Sequence, residues 1–301
     1  MSFSNLRPLS FGEILDGAFT IYRRQFASLF LTALVPQLPV IAWSAVYALL
    51  GGSFSPESAP FSGATPGLLI ALAVLTIPAM IGGVTAIGGV TYQFSRAYTG
   101  TPVSTGEALK RGLSRALPLL VAYIAVTFMA MLGCLAFVVG MFVVLLASFA
   151  VPPAVVLERL GPFDAIARSW QLIKDAWLEV FLVVFVAGLI SGLPGGAVSG
   201  GLSIFGVIVS EGDMARAAPY QVIGQLLGGL LRTLTLPFSI GATVLLYYDR
   251  RVRTEALDVQ MMTEALAAPG QPPYGYPQPG YPQGYGGPQG QGPAPETPRW
   301  G

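Results

Sequence analysis

The chain has no histidine, one cysteine and few charges among its 301 residues. The missing histidine removes the commonest general base, the commonest metal ligand and the usual pH switch. The lone Cys134 sits in an apolar run, so neither an intramolecular disulfide nor a cysteine metal cluster is expected, and the redox compartment stays unread. Charged residues make up 10% of the chain, where soluble domains carry about 25%, and a water-soluble reading fails there. Sixteen Lys and Arg against fifteen Asp and Glu give a net charge of +1, so nucleic acid is not an expected partner. An apolar signal-peptide core is missing as well: Arg7, Glu13, Asp16, Arg23 and Arg24 occupy that stretch, and the first span is expected to act as its own insertion signal. No nucleophile stands beside a base and no phosphate-cradling glycine loop is present, so neither an enzyme nor a bound cofactor is expected.

What the chain does have is apolar length: 53% of residues are hydrophobic and the mean hydropathy is +0.64. A bilayer core needs about 20 apolar helical residues, because lipid offers backbone groups no hydrogen-bond partner. Phe26 to Leu50 and Gly67 to Phe94 are uncharged and long enough, with Pro36 and Pro39 reading as a kink. Leu117 to Leu157 is about twice the bilayer thickness. It is either one long tilted helix or a hairpin turning between Gly133 and Gly140, where glycine's backbone freedom would serve. A hairpin puts Lys110, Arg111 and Arg115 on the same face as Arg159, Arg168 and Lys174, which the positive-inside rule favours. Arg250, Arg251 and Arg253 join them, while Arg216 stays outside near Glu211 and Asp213, and Glu57 marks the first outer loop.

The fifth span begins after Glu179 and carries Gly188, Gly192, Gly196 and Gly200, with Pro194 between them. This is either a close-packing stripe or, from about Pro194, a loose glycine-rich outer loop. Gly82, Ala86 and Gly89 make a similar small face in the second span. The last span ends at Leu245, Tyr247 and Tyr248, followed by the charged run Asp249 to Arg253. Arg232 interrupts its start. It is expected to snorkel to the outer headgroups, with Pro219 to Leu231 along the outer surface, the alternative being a functional charge within the membrane.

Three segments ahead of the outward spans look alike. Ser10, Gly12, Glu13 and Leu15 recur as Ser104, Gly106, Glu107 and Leu109, and more weakly as Gly161, Asp164 and Ile166. The first two are Ser-x-x-Glu capping boxes, and Pro162 suits the first position of the third helix. Apolar residues then follow helical spacing, as in Phe11, Ile14, Leu15, Ala18 and Phe19, in Leu109, Leu113, Ala116 and Leu117, and in Phe163, Ile166, Ala167, Trp170 and Ile173. The expected fold is all-α: a polytopic membrane bundle of about six transmembrane helices in three hairpins, each preceded by a cytoplasmic interfacial amphipathic helix. The helical domain is expected over 1–265. Residues 266–301 are rich in Pro, Gly, Gln and Tyr and are expected to form a disordered cytoplasmic tail, with Tyr274, Tyr276, Tyr281 and Tyr285 as contact points if it binds anything.

Three stretches together resemble a bacterial family: Leu9 to Asp16; Pro153 to Glu158 continuing from Gly161 to Trp170; and Leu246 to Arg253. The family is the bacterial membrane domain named after glycerophosphodiester phosphodiesterases, which also occurs without the catalytic domain. The resemblance implies a helical membrane domain, in outline from Arg7 to Asp258. It carries no catalytic residue to any position here, because that chemistry belongs to a separate histidine-bearing barrel, for which this chain is expected to have no room. The functional expectation is a multi-pass scaffold or accessory protein of the bacterial cytoplasmic membrane, both termini inside, engaging membrane lipids, a cytoplasmic protein or a second copy of itself. The alternative is a transporter or permease component, suggested by the prolines Pro36, Pro39, Pro194 and Pro237 and by the repeated hairpins.

Overall fold

The computed structural model describes residues 8–49, 66–136 and 138–255. Glu57 and the four tail tyrosines lie outside the described residues, as does the tail from 266 onward. Ten helices run through the described residues: α1 Phe11–Arg24, α2 Phe26–Leu49, α3 Pro66–Tyr98, α4 Thr105–Ser114, α5 Ala116–Ala136, α6 Val138–Ala147, α7 Val151–Val156, α8 Pro162–Ile173, α9 Trp177–Val209 and α10 Met214–Glu255. Six stretches among them are long and apolar enough to cross a bilayer, and the chain is an all-α, multi-pass membrane bundle. The order is threefold: a short amphipathic helix (α1, α4, α8) precedes each hairpin (α2 with α3, α5 with α6 and α7, α9 with α10).

Local chemistry explains the three short helices. Ser10 caps α1 by accepting from the Glu13 amide at 3.4 Å, while the Ser10 amide donates to the Glu13 carboxylate at 2.8 Å. Ser104 caps α4 through the Glu107 amide at 3.3 Å, but Glu107 accepts the Tyr92 hydroxyl at 3.1 Å. α8 starts on Gly161 with Pro162 at its first position. In each helix the residues turned to the bundle include small ones: Ile14 and Ala18, Ala108 and Gly112, Ala165 and Ser169. Several large apolar residues of the expected stripes, Phe11, Phe19, Leu113, Phe163 and Trp170, are exposed instead. Small residues let a short helix lie close against a span, and the bulky ones are left for lipid.

The hairpin over Leu117 to Leu157 is present, with α5 ending at Ala136 and α6 starting at Val138. Its glycines do a different job from the one expected. A Cβ on Gly133 would lie 2.8 Å from the Gly140 carbonyl oxygen, so the pair permits close approach of the two legs. Neither has left-handed backbone; among described glycines only Gly100 and Gly212 do. The return leg breaks at 148–150 ahead of Pro152 and Pro153, and Ser169 mends the break, accepting from the Ala150 amide at 2.9 Å and donating to the Ala147 carbonyl at 2.5 Å.

In the third hairpin the loose-loop alternative and the separate outer-surface segment are both overturned. The region from Pro194 is not a loose loop, since α9 runs unbroken to Val209, and Pro219 to Leu231 does not lie along the outer surface as a separate piece, since α10 is continuous from Met214. Mutual packing supplies the reason. Gly195 meets Gly228 so closely that a Cβ on either would lie 2.6 Å from the other's carbonyl oxygen, and Gly206 receives the Tyr220 side chain. The turn between them is tight, with Glu211 and Gly212 left-handed at φ 53° and 85°. Gly188, Gly192, Gly196 and Gly200 lie off this seam: a Cβ on any of them meets nothing within 4 Å in this chain. In α3, by contrast, Gly82 abuts the Pro36 carbonyl, Gly89 meets Thr32 and Ala108, and Ala86 is fully buried.

Candidate functional site

The three stretches that carry the family resemblance are remote in sequence, yet they meet at one end of the bundle around the last turns of α10. Tyr247, Asp249, Arg250, Arg251, Arg253 and Glu255 point in several directions from one helix, so each can reach a different element. Asp249 is fully buried and accepts the Leu9 amide at 2.7 Å, while Arg253 chelates the same carboxylate at 3.0 and 2.9 Å. Arg253 also donates to the Leu9 carbonyl at 2.8 Å, so the backbone ahead of α1 is held by both members of an ion pair.

On a second side, Glu158 lies in the turn between α7 and α8. Arg168 of α8 grips it at 3.2 and 3.1 Å through Nε and at 3.2 Å through Nη2, the Tyr247 hydroxyl donates to it, and Arg251 stands 3.7 Å away. Glu255 closes the loop, pairing with Arg168 and with Arg251 at 3.0 Å. The Glu255 hydrogen bond, with Glu158 beside it, holds the Arg168 guanidinium above its ordinary proton affinity in spite of burial. On a third side, Arg250 donates to the Leu172 carbonyl at 3.1 Å and stands 3.6 Å from Glu179 at the start of α9, which Arg253 also approaches at 3.7 Å. Tyr248 reaches α3 by a buried bond to Ser95 at 2.7 Å.

Four carboxylates and four guanidinium groups therefore neutralise one another within the chain. Asp249, Glu158 and Glu255 accept hydrogen bonds from arginines and Glu179 is approached by two at 3.6 and 3.7 Å, so the arrangement clamps α1, α3, α8, α9 and the α7–α8 turn onto α10. Beside it an open cleft of about 620 Å³ is lined by Phe11, Lys174, Trp177, Leu178, Glu179 and Leu182. Near the middle of α10, Arg232 is exposed, its Cβ packed near Gly195 on the α9–α10 seam. A separate buried polar set lies between α2 and α3, where Gln93 donates to Ser28 at 2.5 Å while Gln93 Oε1 and the Thr85 and Thr91 hydroxyls find no partner.

Sequence reasoning singled out none of the clamp residues as a site. Arg168, Tyr247 and the run Asp249 to Arg253 stood out as markers of topology and of the membrane interface, Glu179 as the start of the fifth span and Glu158 as a member of the resembling stretches, while Glu255 lies beyond them. Comparison with family models, with curated proteins and with solved structures yields no match for this chain.

Proposed function

We propose that the chain is a non-enzymatic scaffold or accessory protein of the bacterial cytoplasmic membrane, with both termini in the cytoplasm, engaging lipid at its short helices and a cytoplasmic partner through its tail. The observation that carries this reading is the neutral clamp around α10, whose acids are paired with arginines and hold helices together. Exposed Phe11, Phe19, Phe163 and Trp170 on the short helices favour contact with the bilayer interface. The test compares the full chain with one ending at residue 265, each cross-linked in membranes and purified. A defined partner recovered only with the full chain supports the scaffold; the same recovery from both forms removes the tail from the proposal.

A transporter is the second reading, favoured by the unpartnered Gln93, Thr85 and Thr91 atoms inside the bundle, since polar groups within a membrane protein commonly mark a solute path. Against it, Arg232 is exposed and is not one of that buried set. Solute uptake into liposomes that disappears in Gln93→Leu would replace the scaffold reading.

A further inference from the structure

Arg159 follows Glu158 in the turn between α7 and α8, but the two side chains serve different neighbours. Glu158 binds α8 and α10, whereas Arg159 acts electrostatically on Arg111 of α4. Its φ of 61° is left-handed, and it closes the end of α7, where the Leu160 amide donates back to the Ala154 carbonyl at 3.3 Å. Arg111 rests 5.6 Å from the centre of the Tyr92 ring, and its Nε is buried without a hydrogen-bond partner. Tyr92, Ala116 beside Arg115, and Leu157 and Leu160 on either side of Arg159 all belong to one apolar cluster, which sets the three arginines around its edge.

No carboxylate lies within ion-pair distance of Arg111, Arg115 or Arg159 among the described residues. The acid one turn before Arg111, Glu107, accepts the Tyr92 hydroxyl. Burial first, and then Arg159 and Arg115, lower the proton affinity of Arg111, the signature of cations crowded without a counter-ion. Attraction to the C-terminal end of α4 accounts for Arg111 and Arg115. It does not account for Arg159, which arrives from another segment, just past the end of α7. Leu113 and Leu117, 59% and 70% exposed on the same stretch, belong in lipid, and this sets the arginines at headgroup depth.

We propose that Arg111, Arg115 and Arg159 form a phosphate-binding site at headgroup depth, filled by the phosphate of an anionic lipid. Guanidinium groups suit this ligand because their paired donors match phosphate oxygens. The inference rests on the reading that the short helices engage lipid, and it names the group they take.

The test measures binding of phosphatidylglycerol, phosphatidylcholine and inorganic phosphate to the purified full chain in a neutral detergent. Saturable binding of phosphatidylglycerol over phosphatidylcholine is expected, about fivefold weaker for each of Arg111→Gln and Arg159→Gln and unchanged in Arg23→Gln. Arg159→Gly separates binding from folding, since glycine accepts the left-handed backbone: it is expected to melt no lower than the parent while losing affinity. Competition by inorganic phosphate at similar concentrations would assign the same arginines to a soluble phosphate. Equal affinity in Arg111→Gln, Arg159→Gln and the parent, or an equal loss in Arg23→Gln, overturns the site. Partner recovery through the tail is measured separately, so either idea can fail while the other stands.

Discussion

The backbone amide of Leu9 donates to the Asp249 carboxylate at 2.7 Å, joining two residues 240 positions apart. Because Asp249 is fully buried and shared with Arg253, its removal leaves a half-buried amide without an acceptor and a guanidinium without its acid. Asp249→Ala is expected to lower stability by about 2 kcal/mol and to make the chain ahead of α1 sensitive to protease. Thermal unfolding in nanodiscs and limited proteolysis check both, and an unchanged melting point would contradict the clamp.

Glu158 and Arg168, each 19% exposed, should couple measurably but not strongly, because Arg168 keeps Glu255 when Glu158 is lost. A double-mutant cycle with Glu158→Gln and Arg168→Gln is expected to return about 1 kcal/mol of interaction energy. A value near zero would mean that water already screens the pair.

Glycine substitutions should divide by seam. A Cβ at position 82 would lie 2.1 Å from the Pro36 carbonyl oxygen and one at 228 would lie 2.6 Å from that of Gly195, both backbone atoms that cannot swing away. Gly82→Ala and Gly228→Ala are each expected to cost about 1–3 kcal/mol. Gly192→Ala meets nothing and should stay within about 1 kcal/mol of the parent, helix propensity acting in its favour. Melting points of the three proteins in one detergent give the comparison, and a large loss at 192 would point to a contact outside this chain.

Orientation is testable with thiols once the native cysteine is replaced by Cys134→Ala. Lys110→Cys and Lys174→Cys are expected to react with an impermeant maleimide from the same side of the membrane, and Asp213→Cys from the other. Labelling of positions 110 and 174 from opposite sides would exclude the arrangement of three hairpins.

The spans, their number and the short helices ahead of them were legible because length, hydropathy and charge are properties of a single stretch. The pairing of α5 with α6 was legible for the same reason: basic residues on both flanks left a single crossing unfavourable. Which face of α9 packs was not, since that helix is apolar all round and Gly195 looks no different from Gly192 until α10 lies against it. The continuity of α10 was hidden by Arg232 and Gln221, polar residues that break an apolar run; Gln221 is buried in the folded chain. Pairings such as Leu9 with Asp249 or Glu158 with Tyr247 depend on three-dimensional closure, and no local pattern announces them.

The placement of the clamp on the final helix has a bearing on biogenesis. A nascent chain leaving the ribosome could insert its first two hairpins while Leu9, Glu158, Arg168 and Glu179 still await the arginines, tyrosine and acids of α10. The architecture is therefore secured last, when the translocon releases the C-terminal helix, and a product truncated before Tyr247 would present unclosed charges to the quality-control proteases of the membrane.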